Sequence, residues 1–228
     1  MVTDLKFQAV LNAGTLGQES GHSIMDVIFG DVNPSGKLVY TIAKNESDYN
    51  GEICSCCQCD YTEGLYIDYK YFDQADIEPR YEFGYGLSYT TFEFDEPRVT
   101  EQPAADLAPY ATGKVIQGGP EDLWDSVVTI EAAVTNTGDV AGAEVAQLYM
   151  GLPEASDSPA KQLRGFEKVF LQPGETKAIR FTLNRRDLSV WDTVAQKWRL
   201  YGGQNKVYLG ASSRDIRGQT SFELTLSM

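Results

Sequence analysis

The sequence predicts an α+β protein that is mainly β, with a partial α/β unit followed by an antiparallel β-sandwich. Three features predict this class: one apolar segment with helical spacing near the N-terminus, a dense aromatic segment, and a second half of short alternating segments separated by turn residues. Short strands with regular turns are typical of a sandwich. With 228 residues, of which 42% are hydrophobic, the chain can bury the core of one or two domains.

The N-terminal part has the pattern of a strand, a helix and a second strand. Residues 7–14 form an apolar run that stops at glycine, which predicts a buried strand. Apolar residues recur at helical spacing within residues 22–30, and Gly30 supplies a stop. Residues 37–42 predict another short strand. A single strand–helix–strand unit has too few strands to form a complete two-layer α/β domain. Residues 1–92 are therefore interpreted as the remnant of a larger α/β domain.

Nine aromatic residues are concentrated between positions 61 and 89. Their spacing is neither helical nor alternating, which favours a packed connector in which buried tyrosines keep a polar tip. A sugar-stacking surface is the alternative interpretation. On that alternative, Tyr66 and Tyr69 are candidate ligand-binding residues.

Residues 93–228 are predicted to form the sandwich, with residues 93–123 as a long surface loop or insertion because they are polar and rich in proline and glycine. Beyond this loop, alternation between apolar and polar residues predicts six strands. They cover residues 127–135, 143–150, 163–171, 176–183, 206–211 and 220–226.

Charge and hydropathy exclude two classes of partner. The net charge is −14, so the chain would repel a polyanion, and we expect no binding to nucleic acid. No window reaches the roughly 18 consecutive apolar residues of a membrane helix, so no membrane insertion is expected. Residues 1–6 do not resemble a signal peptide, which leaves the localisation open between the cytosol and a secreted chain without its leader.

All four cysteines lie in one cluster, Cys54, Cys56, Cys57 and Cys59. A structural zinc site usually combines two separated clusters, and the only histidine is His22. We therefore expect local disulfides or free thiols, and neither a metal nor a cofactor. The sequon at Asn45 would accept a glycan if the chain is secreted.

Long motifs occur in order along nearly the whole chain. They are residues 17–21, 26–38, 60–69, 79–92, 135–138, 163–166, 186–189, 191–192 and 210–215. Together they resemble glycoside hydrolase family 3, especially fungal β-glucosidases. The resemblance implies the C-terminal portion of such an enzyme, in which the end of an α/β-sandwich domain precedes a fibronectin-III-like domain.

Retaining glycosidases of this kind need two carboxylates, one as nucleophile and one as acid/base. The resemblance implies that the family's nucleophile lies on an N-terminal barrel and its acid/base lies upstream of these residues, so neither maps onto this sequence. We expect a truncated β-glucosidase-like protein without glycosidase activity alone. The alternatives are a non-catalytic subunit or carbohydrate-associated module, and a neofunctionalised small enzyme of fungal secondary metabolism that uses a pocket exposed by loss of the barrel.

One loop departs from the family pattern. Asn12 stands where the family usually has tryptophan, Thr15 and Leu16 replace a Leu-Pro pair, and His22 stands where asparagine is usual. Two interpretations explain these departures: sequence drift after the neighbouring domain was lost, or a rebuilt functional site. Asn12 is a further candidate ligand-binding residue.

Glu19 and His22 are the candidate catalytic residues, since a histidine three positions from a carboxylate can transfer protons when both face a pocket. The simpler interpretation makes Glu19 an acceptor at a helix N-terminus. Loss of neighbouring domains is expected to expose apolar surface, which predicts a homodimer or a bound partner, and a carbohydrate or small-molecule ligand.

Overall fold

The computed structural model describes residues 9–15, 17–51, 53–54, 58–103 and 105–227. Within them, the α-helices are α1 (Ser20–Phe29) and α2 (Tyr69–Gln74). The strands are β1 (Phe92–Phe94), β2 (Arg98–Glu101), β3 (Val115–Ile116), β4 (Gly119–Pro120), β5 (Ser126–Asn136), β6 (Gly142–Gly151), β7 (Gln162–Leu171), β8 (Thr176–Asn184), β9 (Ser189–Asp192), β10 (Lys197–Leu200), β11 (Gly203–Gly210) and β12 (Ile216–Leu224). No helix in these ranges is long and apolar enough to cross a membrane.

Two antiparallel four-stranded sheets form the sandwich. In the first sheet, β5 pairs with β8 along one edge and with β1 and β2, one after the other, along the opposite edge. The second sheet has the order β12-β11-β6-β7. Strands β9 and β10 form a separate hairpin that pairs Trp191 with Trp198. The predicted fold class is confirmed.

The core lies between the two sheets and is built from their alternating apolar residues. In β8, Ile179, Phe181 and Leu183 are buried while their neighbours face solvent. They pack with Leu148 of β6 and Leu209 of β11 from the facing sheet. Burial of this apolar surface is the main stabilising contribution to the sandwich.

The six predicted strands correspond to β5, β6, β7, β8, β11 and β12. The structure differs in residues 93–123, where it places most of β1, all of β2 and the short β3–β4 hairpin. These strands have two to four residues, too few to show alternation in the sequence. They become strands because they pair with β5 or with each other.

The N-terminal part contains the predicted helix, which starts two residues earlier than expected and ends before Gly30, whose φ of +84° is left-handed. The strand predicted for residues 37–42 is wrong. Only Ile42 forms a β-bridge, to Tyr81, and the backbone of Leu38 exchanges hydrogen bonds with residues 84 and 85. Of the strand predicted for residues 7–14, residues 7 and 8 lie outside the described ranges and the rest adopt no strand.

Buried polar contacts join the N-terminal part to β6. The Gln147 amide donates to the carbonyls of Gly84 (3.0 Å) and Ala211 (2.7 Å), and its oxygen accepts the Tyr149 hydroxyl (2.6 Å). The Lys37 ammonium lies 2.7 Å from the Glu144 carboxylate. Because these groups are buried and paired, they fix how the N-terminal part sits on the sandwich.

Candidate functional site

Glu19 and His22 lie at the start of α1 and contact each other. The Glu19 carboxylate lies 2.9 Å from Nδ1 of His22, and the two side chains are 69% and 87% exposed. The carboxylate caps no backbone amide of the helix, whereas the Glu19 carbonyl accepts from the backbone and hydroxyl of Ser23. The spacing therefore brings the predicted pair together, but in open solvent, where such pairs interact weakly.

Asn12 lies in the exposed loop that precedes α1. Its amide donates to the Tyr40 hydroxyl at 2.7 Å, and its oxygen accepts from the backbone of Gly14 at 3.1 Å. Both side chains are largely exposed. The Asn12–Tyr40 hydrogen bond joins residues 28 positions apart and does not include Glu19 or His22.

The two candidate tyrosines lie in different surroundings. Tyr69 is 8% exposed, with its ring 4.7 Å from that of Phe83 and its hydroxyl accepting from the Leu163 backbone at 2.9 Å. Burial raises the pKa of the Tyr69 hydroxyl. Tyr66 is half-buried and lines a cleft of about 230 Å³ together with Lys70. Packing accounts for Tyr69, whereas Tyr66 stays a predicted ligand contact.

The cysteine cluster and the sequon lie on the surface. Cys54 and Cys59 form a disulfide, whereas Cys56 and Cys57 lie outside the described residues. In the described part of the chain, no group of His, Cys, Asp or Glu side chains could hold a metal ion. Asn45 is exposed and begins a short 3-10 turn (Glu46–Asp48).

A larger cleft, about 460 Å³, lies in the sandwich and was missed from the sequence. Its walls include Glu101, Asp125 and Arg185, which come from distant parts of the chain and share no motif spacing. Burial lowers the pKa of Arg185. Glu101 accepts from Thr129 at 2.7 Å, and one end of the Arg185 guanidinium donates to a backbone carbonyl. The buried Nε of Arg185 has no hydrogen-bond partner among the described residues.

One exposed apolar region of the N-terminal part is the surface of α1. No residue of α1 is buried. Ile28 and Phe29 are 59% and 71% exposed, and Met25 and Val32 are about half exposed. We call these four residues the α1 surface. A helix of ten residues is only marginally stable in water without tertiary packing. The α1 surface is therefore suited to packing against another protein surface.

Two family models match the chain. Residues 1–89 match the glycosyl hydrolase family 3 C-terminal domain, and residues 144–213 match a fibronectin type III-like domain. The chain belongs to glycoside hydrolase family 3. It corresponds to the C-terminal portion of the family's proteins, as the motifs predicted.

Family 3 relatives are similar over almost the entire chain. It is 58% identical to probable beta-glucosidase N of Emericella nidulans, covering 91% of this chain and 33% of the relative, and 52% identical to probable beta-glucosidase D of Aspergillus niger, covering 96% and 29%. The structure of beta-D-glucoside glucohydrolase from Trichoderma reesei matches with a TM-score of 0.87 and 51% identity, covering 91% of this chain and 29% of that one. The family 3 chain thus spans about a third of the length of these relatives.

Proposed function

We propose that this family 3 chain does not hydrolyse glycosides alone and that it is the non-catalytic C-terminal part of a β-glucosidase, which docks on the remaining part through the α1 surface. The observation that carries the proposal is that α1 buries none of its residues. Burial of its exposed apolar side chains against the remaining part would stabilise the complex between the two.

The position of the candidate catalytic residues supports the same proposal. A retaining glycosidase needs two carboxylates about 5 Å apart across a bound sugar. The Glu19–His22 pair has one carboxylate and stands in open solvent, and neither residue lines the two clefts described above. The pair therefore lacks both the second carboxylate and the water exclusion that glycoside hydrolysis requires.

The first expected result is that the purified chain releases no aryl alcohol from an aryl β-glucoside above the buffer rate. The measurement is a discontinuous absorbance assay at high protein concentration. Hydrolysis by the chain alone would overturn the proposal. In that case, loss of activity in both Glu19→Gln and His22→Ala would favour the alternative of a small enzyme with a rebuilt site.

The second expected result concerns docking. Mixing the chain with the part of the Emericella nidulans relative that it does not match should give a one-to-one complex by light scattering and should increase aryl β-glucoside hydrolysis. The double variant Ile28→Gln/Phe29→Gln should weaken the complex at least tenfold, because it removes two exposed apolar contacts.

The matched control changes two apolar residues on the sandwich that are even more exposed than Ile28 and Phe29. Val115→Gln/Val194→Gln, at positions 77% and 93% exposed, should leave the complex unchanged. Equal weakening by both double variants would contradict docking at α1. Dimerisation of the chain by itself, lost in Ile28→Gln/Phe29→Gln, would instead make a second copy the occupant of the α1 surface.

A further inference from the structure

The larger cleft has a buried arginine in its wall. Arg185 lines this cleft, is only 6% exposed and begins the 3-10 turn Arg185–Leu188 that follows β8. One terminal nitrogen of its guanidinium donates to the Ala108 carbonyl, and this is the only hydrogen bond that the guanidinium makes to the described residues. Its buried Nε has no partner among them. Because an unpaired buried donor is unfavourable, an acceptor that enters the cleft and reaches this guanidinium would be stabilised.

Hydrogen bonds between neighbouring elements fix the position of the cleft walls. The backbone of Arg185 donates to the Asp125 carbonyl at 2.9 Å, which joins the end of β8 to the start of β5. Glu101, at the end of β2, accepts from the Thr129 hydroxyl of β5 at 2.7 Å. All four residues line the cleft. The sandwich therefore holds these polar groups in place before any ligand binds, as in other preformed small-molecule sites.

Three carboxylates share the cleft with Arg185: Glu101, Asp122 and Asp125. Burial lowers the pKa of Arg185, and the charges of Asp122 and Asp125 oppose that effect, but no carboxylate of the described residues forms an ion pair with its guanidinium. Both oxygens of Asp122 accept from backbone amides, at 2.8 and 2.9 Å. Glu101 uses only one of its oxygens, and the Asp125 side chain accepts no hydrogen bond within the described ranges. The cleft therefore offers acceptors on Glu101 and Asp125 as well as the donors of Arg185.

The charges of these groups select the class of ligand. Three carboxylates and one guanidinium give the cleft a net negative charge, which repels an anion, whereas an ammonium would meet the charge of Arg185 and has no acceptor for its donors. A neutral hydroxyl both donates and accepts, so a small molecule with several hydroxyls can serve both kinds of group. The cleft volume of about 460 Å³ lies within the range of about 300 to 1,000 Å³ that is typical of small-molecule sites.

We propose that the larger cleft binds a small neutral polyhydroxy compound, either a sugar or an open-chain sugar alcohol. Its hydroxyl oxygens would accept from Arg185, its hydroxyl groups would donate to Asp125 and Glu101, and its C–H groups would pack on Leu107 and Val127. The α1 surface takes no part, so the outcome of this test is independent of the proposed docking.

The test records heteronuclear NMR spectra of the chain during titration with glucose, sorbitol, the diamine putrescine and sodium acetate. Glucose or sorbitol should shift the Nε–H signal of Arg185 and the backbone amides of Ser126 and Val127 in a saturable way, because these groups line the cleft. Saturation at these signals distinguishes binding from the general exclusion of polyols from protein surfaces. A response to glucose alone would identify a ring sugar as the ligand, and a response to sorbitol alone would identify an open-chain sugar alcohol. No saturable shift with either, or an equal response to putrescine or acetate, would overturn the proposal.

Variants separate the cleft from the surface charge of the sandwich. Asp125→Ala should weaken binding about tenfold, the size expected for one hydrogen bond to a charged group. Arg185→Lys should weaken it at least as much, because lysine lacks the planar fork of donors. Asp125 is exposed, so its variant keeps the test valid where Arg185→Lys unfolds the chain. The control is Asp139→Ala, which removes an exposed carboxylate beyond the other end of β5 and should change the affinity by less than about twofold. Unchanged affinity in Asp125→Ala, or equal weakening in Asp139→Ala, would contradict binding in the cleft.

Discussion

Replacing Gly84 with alanine is expected to destabilise the protein by about 3 to 4 kcal/mol. Gly84 has a φ of +81°, a left-handed conformation that costs a residue with a Cβ about 1 kcal/mol or more. The new Cβ would also collide with the Gln147 side-chain amide. Because that amide is buried and held by three hydrogen bonds, it cannot move aside without leaving polar groups unpaired, which adds about 2 to 3 kcal/mol.

The measurement is the free energy of unfolding in urea, with far-UV circular dichroism as the probe. The control is Gly174→Ala, because Gly174 has a similar φ of +75° but open space around its Cβ position, so only the backbone cost of about 1 kcal/mol should appear. In Gly84→Ala/Gln147→Ala the two losses should be less than additive, since the colliding group is gone. If Gly84→Ala and Gly174→Ala lower the free energy of unfolding equally, the Gln147 side chain has room to accommodate a Cβ at position 84.

The sandwich could be predicted from the sequence because each long strand shows its own burial pattern locally. Ile179, Phe181 and Leu183 alternate with polar residues, and that alternation is sufficient to place β8 with one face in the core. The segment at residues 37–42 has an equally strand-like composition but forms no ladder. A strand needs a neighbour in register, and a short sequence window does not contain that information.

The candidate site was only partly predictable for the same reason. The spacing of Glu19 and His22 does place them in contact, because residues three apart share a helix face. Their exposure depends on what packs on α1, which no local pattern encodes. The larger cleft has no sequence signal at all. Glu101, Asp125 and Arg185 come from distant parts of the chain, and only the folded sandwich places them around one cleft.

Neutralising Glu144 is expected to destabilise the protein by about 3 kcal/mol or more. Its carboxylate lies 2.7 Å from the Lys37 ammonium, and these side chains are only 8% and 13% exposed. Glu144→Gln keeps the shape and the acceptor for the Val145 backbone but leaves a buried ammonium without its counterion. Breaking one partner of a buried pair typically costs about 3 to 5 kcal/mol, since the remaining charge is uncompensated.

Two further variants test whether the destabilisation by Glu144→Gln is due to the burial of the ion pair. Lys37→Met/Glu144→Gln removes both charges and should recover most of the lost stability, because no unpaired charge remains. Glu78→Gln breaks the Lys44–Glu78 pair, which is as short at 2.6 Å but is 44% and 80% exposed, and should leave the urea midpoint unchanged. Because Lys37 belongs to the N-terminal part and Glu144 to β6, the coupling energy from this cycle also measures how firmly that part is attached to the sandwich. A coupling near zero would mean that the N-terminal part separates from β6 in solution and that water already reaches the pair.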